Sequence, residues 1–356
     1  MKSALAALLL ASGLFGTNFF TRGATAQLKA QTGGTTVELR GLSVVSKEIA
    51  WASGAKGTFL RTTDGGQTWH TGTVPGAEEL DFRDVEGIDA YTAYLLSIGD
   101  KSGIYKTTDG GKNWAMQYSN SSPGVFFDAF AFWDAQNAIA FSDPVNGSFL
   151  IITTGDGGAT WKQVPRENIP PPLANEAAFA ASGTCIAVQG TQNAWIGTGG
   201  GATARVFRST DKGRTWAVAD TPIAAGNASS GIFSLAFKDA KNGIAVGGNY
   251  REPNQDGDNI AITSDGGRTW TLAARSQPVG YRSCVAYVPG TATPTIVTAG
   301  LSGTGCSTDN GKTWTTIGAE GYNSIGFAGP DSAGWVAGSG GRIAKFESLA
   351  PGALKR

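Results

Sequence analysis

The sequence predicts an all-β protein, a seven-bladed β-propeller closed by an N-terminal strand. The motif Ser/Thr-x-Asp-x-Gly-x-Thr-Trp occurs six times, with Asn113 replacing Thr in the second copy. Its tryptophans recur every 44 to 55 residues, a spacing typical of repeat architectures. Each copy follows three β-type runs and precedes a fourth. A seventh unit, from Tyr322, has three such runs and no motif, so another segment must complete it.

The residue types of the motif indicate a tight turn with internal hydrogen bonds. An Asp side chain accepts bonds from backbone N–H groups just downstream, Gly adopts positive φ, and Trp is large enough to seal a gap between sheets. Metal binding or acid–base chemistry is the alternative, but six equivalent carboxylates cannot share one site. We therefore predict structural roles for Asp64, Asp109, Asp156, Asp211, Asp265 and Asp309, and for Trp69, Trp114, Trp161, Trp216, Trp270 and Trp314.

The N-terminus has the pattern of a cleaved export signal, residues 1–26. Lys2 precedes an apolar stretch, Ala4–Phe15, and Ala24-Thr25-Ala26 fits the cleavage rule for small residues. An uncleaved anchor helix is the alternative. No cysteine closely follows the apolar stretch, which argues against a lipoprotein. We expect a periplasmic or secreted protein with no membrane span in its mature chain.

The rest of the chain divides into a disordered lead (27–34), the propeller (35–349) and a C-terminal tail (350–356). The fourth unit is predicted to begin near Glu176 and to carry an insertion over Gly190–Ala202. The fifth has a polar insertion, Asn249–Asn259. The segment Thr35–Leu39 reads as a strand with no hairpin partner, so we predict that it completes the seventh blade and removes an exposed edge.

The motif is similar to the Asp-box, or bacterial neuraminidase repeat. The wider unit, seen in Phe233–Phe237, Gly243–Gly247 and Ile260–Thr263, resembles the propeller family of the photosystem II stability/assembly factor. Its exported bacterial branch is often labelled oxidoreductase. The segments Leu39–Val45, Asp81–Asp84, Phe141–Gly147 and Gly280–Cys284 resemble that branch. The resemblance spans about residues 35–349 and implies seven blades with no established catalysis.

Composition narrows the partner classes. Lys plus Arg and Asp plus Glu both number 28, so the balanced surface does not indicate nucleic acid as a partner, and we expect a monomer. We predict no cofactor, because the chain has no cofactor fingerprint, and no metal site, because the single histidine, His70, precludes His-rich sites. The three cysteines allow no complete disulfide framework. Cys284 and Cys306 should lie on the first and third strands of one blade, beyond disulfide reach.

The best candidate site is one mouth of the central channel. The starts of the innermost strands align at Arg40, Arg83, Asp128, Glu176, Phe233, Arg282 and Asn323, with Tyr281 adjacent. Of these, Arg40, Arg83, Asp128, Glu176, Tyr281, Arg282 and Asn323 are the predicted ligand-binding residues. Arginine forks suit carboxylate or phosphate groups. Pairs such as Arg83–Asp128 and Arg282–Asn323 could instead satisfy one another and tie blades together.

These residues suggest an exported, non-catalytic binding or assembly module that recognises a protein segment or an anionic group at the mouth. The alternative is a carbohydrate-active enzyme, a sialidase-like glycosidase or lyase, since sialidases combine an arginine triad with a tyrosine and carboxylates. That inventory would be Arg40, Arg83 and Arg282 with Tyr281, Asp128 and Glu176. A purely structural propeller is a third interpretation.

Overall fold

The computed structural model describes residues 24–99, 102–273, 280–329 and 333–351. These residues form seven four-stranded antiparallel sheets. The first strands of successive sheets contact one another, and the strand beginning at Ser324 contacts the one beginning at Leu39, so the ring is closed. The predicted all-β, seven-bladed propeller is confirmed.

Blades 1 to 3 each follow the order of the chain, from the innermost strand to the outermost. Their strands are β2 Leu39–Val44, β3 Ala50–Gly54, β4 Thr58–Thr62 and β5 His70–Thr73; β6 Phe82–Gly87, β7 Ala93–Ser97, β8 Ser102–Thr107 and β9 Ala115–Asn120; β10 Phe127–Phe132, β11 Ala138–Val145, β12 Ser148–Thr154 and β13 Lys162–Gln163.

Blades 4 to 6 repeat this arrangement, and blade 7 combines both ends of the chain. Their strands are β14 Ile186–Gln189, β15 Asn193–Gly197, β16 Arg205–Ser209 and β17 Ala217–Asp220; β18 Ser230–Phe237, β19 Gly243–Asn249, β20 Ile260–Thr263 and β21 Thr271–Leu272; β22 Cys284–Tyr287, β23 Ile296–Gly300, β24 Gly303–Ser307 and β25 Thr315–Gly318; β26 Ser324–Phe327, β27 Gly334–Ala337, β28 Ile343–Pro351 and β1 Ala24–Gln31. The 3-10 turns of the described ranges are Arg166–Asn168 and Ser339–Gly341.

Each repeated turn is held by the side chains that define the motif. In blade 3 the Thr154 hydroxyl donates to Asp156 Oδ1 (2.7 Å) and accepts from the Gly158 N–H (3.0 Å). Asp156 also accepts from the N–H and hydroxyl of Thr160, at 2.9 and 2.6 Å. Side-chain and then backbone bonds from Thr160 lower the pKa of this exposed aspartate to about 2. The carboxylate of Asp156 therefore stabilises the turn through its hydrogen bonds.

The motif tryptophans pack towards the preceding blade. Trp114, which follows the blade 2 turn, meets Phe59 and Trp51 of blade 1 edge-on, at 5.2 and 6.3 Å between ring centroids. Trp270 belongs to the core shared with Trp195 of blade 4. The cores thus lie between adjacent sheets, where each indole removes apolar surface from water.

The ring is closed by an N-terminal strand, as expected, but the strand is β1, not Thr35–Leu39. Strand β1 pairs with β28 from Gln31–Ile343 to Ala24–Pro351. The predicted disordered lead is therefore wrong over residues 27–31, and residues 350–351 lie in a strand rather than a tail.

The reason is the distance that the chain must cross. The closing strand is the outermost of blade 7, three strand spacings or about 14 Å from the innermost strand of that blade, and β2 is the innermost strand of the next blade. Had the closing strand ended at Leu39, no residues would remain for the crossing. Residues 32–38 make it instead, and they lie across the end of blade 7, where Val37 O accepts from the Gly341 N–H at 2.7 Å.

The long spacing of 55 residues between Trp161 and Trp216, the tryptophans of the third and fourth motifs, does not come from the predicted insertion. Gly190–Ala202 is not an insertion, because Asn193–Gly197 is the second strand of blade 4. The extra length precedes β14, which begins at Ile186 rather than near Glu176. The predicted insertion Asn249–Asn259 does correspond to the loop between β19 and β20, which spans residues 250–259 after Asn249 ends β19.

The cysteine prediction is confirmed. Cys284 begins β22 and Cys306 lies in β24, the first and third strands of blade 6. Both are buried and free, as is Cys185. Residues 1–23 of the predicted signal and 352–356 of the predicted tail lie outside the described residues. Within the described ranges, no helix has the length and apolarity to span a membrane.

Candidate functional site

The candidate site is built by bulges at the starts of four innermost strands. The pairing register shifts between Leu39 and Gly41, and the equivalent shifts in blades 2, 3 and 5 also skip one residue. The skipped residues are Arg40, Arg83, Asp128 and Phe233. A bulge redirects the side chain that it carries. These four positions were therefore aligned correctly from the sequence.

A cavity of about 340 Å³ occupies the mouth. It is lined by Arg40, Arg83, Phe126, Asp128, Ala178, Phe179, Ala180, Ala181, Phe233, Tyr250, Tyr281, Leu301 and Asn323. Five of the seven predicted ligand-binding residues are thus brought together. Glu176 and Arg282 are not among the lining residues.

Both arginines of the cavity are paired with carboxylates of their own blades. Arg40 Nη2 donates to Glu38 Oε1 at 2.7 Å, and Arg83 Nε donates to Asp81 Oδ2 at 2.8 Å. Neither guanidinium is bonded to Asp128, so the predicted Arg83–Asp128 pair does not form. Burial and then the neighbouring charge of Arg83 lower the pKa of Arg40. The two guanidinium groups therefore lie side by side, each already compensated.

A plug segment, residues 177–184, crosses the mouth. Its contacts reach five other blades: Ala178 N donates to Asp143, Ala180 O and Ala181 O accept from Arg83 and Arg40 at 3.1 and 3.2 Å, Ser182 donates to Ser283 O, and Thr184 bonds Ser234. Contacts with so many blades place the segment on the propeller axis. Gly183 has a φ of +75°, and any Cβ there would overlap the Asp84 carboxylate.

Asp128, on the floor of the mouth, is deeply buried. Asp128 is 1% exposed, and neither of its carboxylate oxygens has a hydrogen-bond partner in the described part of the chain. Burial, and then the charge of Asp143, raise the pKa of Asp128 well above its ordinary value. Burial also raises the pKa of Asp143 to about 6, although the Ala178 N–H partly opposes this. The floor of the cavity therefore resists ionisation while it is empty.

The prediction that Glu176 lines the mouth is wrong. Its carboxylate accepts from Arg205 Nε at 2.9 Å and from Thr198 Oγ1, and it contacts Arg205 Nη2 and the Leu173 N–H as well. The Arg205 side chain is 9% exposed and that of Glu176 is fully buried. Glu176 lies ten residues before the innermost strand of blade 4, so it does not occupy the position at the start of that strand. It forms a structural ion pair with Arg205 of the same blade instead.

Arg282 is also misplaced, for a local reason. No register shift occurs in β22, and successive side chains on an extended chain point to opposite sides. Tyr281 therefore faces the cavity, while the Arg282 guanidinium donates to Tyr281 O and Ser302 Oγ at 2.9 and 2.7 Å. Burial lowers its pKa to about 10. Asn323 donates to Leu39 O at 2.9 Å rather than bonding Arg282.

The mouth also has an aromatic half, of which Tyr281 alone was predicted to bind a ligand. Phe179 stacks on Phe233 with ring centroids 3.9 Å apart, and Tyr281 meets Phe233 edge-on at 4.7 Å. Tyr250 and Leu301 form a rim that is 39% and 50% exposed. Phe233 stood in the alignment, but Phe179 and the rim lie in loops, whose positions no strand period predicts. Among the described residues, no group of three or more His, Cys, Asp or Glu side chains could hold a metal ion.

Comparisons with known proteins agree with the family resemblance. The family model "Photosynthesis system II assembly factor YCF48" matches residues 24–169. The chain is 28% identical over 139 residues to the chloroplastic photosystem II stability/assembly factor HCF136 of Arabidopsis thaliana, covering 36% of this chain and 32% of that protein. It is 25% identical over 235 residues to the photosystem II assembly lipoprotein Ycf48 of Synechococcus sp. (strain CC9902), covering 65% and 59%.

The chain thus spans about one third and three fifths of these two curated relatives. A solved structure described as YCF48 bound to D1 peptide superposes with a TM-score of 0.63 at 18% identity, covering 93% of this chain and 99% of that one. At that identity the similarity shows the fold alone. Taken together, the comparisons show that the chain is similar to photosystem II assembly factors over part of its length, and the seven closed blades show that it is a β-propeller.

Proposed function

We propose that the protein is an exported, non-catalytic binding module whose channel mouth receives a segment of another protein. The observation that carries this proposal is the cavity of about 340 Å³ with a charged half and an aromatic half. Aromatic walls supply apolar area with little loss of side-chain freedom, and polar groups fix orientation. The exposed rim residues Tyr250 and Leu301 extend the apolar surface beyond the cavity.

Between the two ligands expected from the sequence, the geometry favours a protein segment over a simple anion. An anion site needs uncompensated positive charge, yet Arg40 and Arg83 each bind a carboxylate and a plug carbonyl. A small anion would also leave the aromatic half of the cavity unused. A peptide can contact both halves at once.

The comparisons support the class of partner only. The relatives are named as assembly factors, and one structure of the same fold is described with a bound peptide. We extend peptide binding to this chain, but not the photosynthetic partner.

The glycosidase alternative receives no support from the geometry. Its inventory required Glu176 and Arg282 at the mouth with Tyr281 and two further arginines. Glu176 is held by Arg205, and Arg282 is directed towards Ser302. The arginine triad of Arg40, Arg83 and Arg282 is therefore not assembled at the mouth.

The test is capture of a partner from the host envelope by variants of the mouth. Leu301→Asp and Tyr250→Ala change exposed rim residues, so both variants should fold. The matched control is Tyr91→Ala, because Tyr91 is 64% exposed in the loop between β6 and β7, at the end of the propeller opposite the mouth. Wild type and the control should capture the same protein, identified by mass spectrometry, and both rim variants should lose it. Equal capture by all four proteins would contradict docking at the mouth.

A further inference from the structure

The floor of the mouth contains an acidic side chain without a hydrogen-bond partner or a counter-ion. Asp128 is 1% exposed, and both of its oxygens lack a hydrogen-bond partner among the described residues. The neighbouring Asp143 N–H donates to Phe126 O at 3.0 Å, and its interaction with the Asp128 carboxyl group offsets only part of the effect of burial on the pKa of Asp128. Buried carboxyl groups are almost always bonded, so an unpaired one that lines a cavity indicates a missing donor.

The missing donor does not come from the arginines of the cavity. Glu38 is paired with Arg40 and Asp81 with Arg83, and neither guanidinium is bonded to Asp128, although the charge of Arg83 offsets part of the rise in the pKa of Asp128. Asp143 lies behind Asp128 and adds a second carboxylate, whose bond within the described chain is to the neutral Ala178 N–H. The two arginines, their two paired carboxylates, Asp128 and Asp143 together make an excess of two acidic groups at the mouth. Charge complementarity therefore favours a cation.

The walls favour a cation on a flexible apolar stem. The aromatic rings of Phe126, Phe179, Phe233 and Tyr281 line the same cavity as Asp128. Aromatic rings attract an ammonium group through their quadrupoles and bury the methylenes that carry it. A lysine side chain has both features, and its compact ammonium group can donate to both carboxylate oxygens.

We propose that the segment received by the mouth presents a lysine side chain, whose ammonium group binds Asp128 between the aromatic walls. The inference rests on the proposed function, because it specifies the chemistry of the docked segment. It reverses the expectation that the arginines select the ligand. Arg40 and Arg83 instead hold the plug segment in place, and the plug in turn positions Phe179 against Phe233.

The test is selection of a random heptapeptide phage library on the wild-type protein and on Asp128→Asn. Asn keeps the shape of Asp but carries no negative charge to pair with an ammonium ion, and it replaces one polar group of the cavity by another of equal size, so this variant should fold. Lysine should be enriched over the unselected library on wild type and not on Asp128→Asn. Capped peptides from the selection should then bind about thirtyfold or more weakly when norleucine, which keeps the stem without the charge, replaces lysine.

The rim variants separate this inference from the proposed function. If selected peptides depend on Leu301 and Tyr250 but show no preference for lysine, the inference fails and docking at the mouth stands. Enrichment of Asp or Glu would also overturn it, because the arginines would then select the ligand. If no selected peptide loses binding in the rim variants, both proposals fail.

Discussion

The buried pair formed by Glu176 and Arg205 gives the sharpest stability prediction. Glu176 accepts from two nitrogens of Arg205 and from Thr198, and its side chain is fully buried. In Glu176→Ala, the Arg205 guanidinium loses its counter-ion in a site where water cannot replace it. Breaking a buried pair in this way costs about 3–5 kcal/mol.

This loss corresponds to a shift that is easily measured. With an unfolding entropy of about 2.1 cal/mol/K per residue, a propeller of about 330 residues loses about 0.7 kcal/mol for each degree near its midpoint. We therefore expect Glu176→Ala to lower Tm by about 4–7 °C. The assay is thermal unfolding followed by calorimetry and by tryptophan fluorescence, since agreement between the two tests for a single transition.

The chain supplies a matched control for this measurement. Arg342 and Glu320 also form an ion pair, with a single bond of 2.9 Å, but their side chains are 44% and 70% exposed. Glu320→Ala should cost less than about 1 kcal/mol, because water and salt screen an exposed pair. The double variant Glu176→Ala/Arg205→Ala should cost about 2–3 kcal/mol less than the sum of its single variants. If Glu176→Ala is as mild as Glu320→Ala, the structural role assigned to Glu176 is refuted.

Three further predictions concern the closing strand, the turns and the thiols. Gln31 Oε1 accepts from the indoles of both Trp69 and Trp335 at 2.9 Å. Gln31→Leu should therefore lower the free energy of unfolding, measured by urea titration, by about 2–4 kcal/mol. The control Gln27→Ala, on the exposed face of the same strand, should change it by less than about 0.5 kcal/mol. The folded pKa of Asp156, about 2, lies below the unfolded value, so its contribution to stability is complete above about pH 4 and is lost as the pH falls towards 2. The free energy of unfolding measured across that range should therefore depend less on pH in Asp156→Asn than in wild type. An unchanged dependence on pH would contradict the role assigned to Asp156 in the turn. The three cysteines are buried, and burial raises the pKa of each thiol. Iodoacetamide should therefore label them only after denaturation, as measured by mass spectrometry. Rapid labelling of the native protein would contradict their burial.

Local chemistry made the blades predictable from the sequence. The turn at Asp156 is held by residues within four positions of one another, so its signal survives in a short window of sequence. Repetition then gave the number of blades, and the same alignment placed Arg40, Arg83 and Asp128 at one mouth. These assignments depend on strand period and on short-range hydrogen bonds.

Only the tertiary structure decided which side chains meet on the axis and which strand closes the ring. Strand β1 pairs with β28 across more than 300 residues, and its choice depends on the length needed to cross blade 7. The plug segment reaches the axis through contacts with five other blades, none of which is close to it in sequence. A bulge or its absence turned Arg83 into the cavity and Arg282 away from it. Such choices depend on long-range packing, which a repeat in the sequence does not encode.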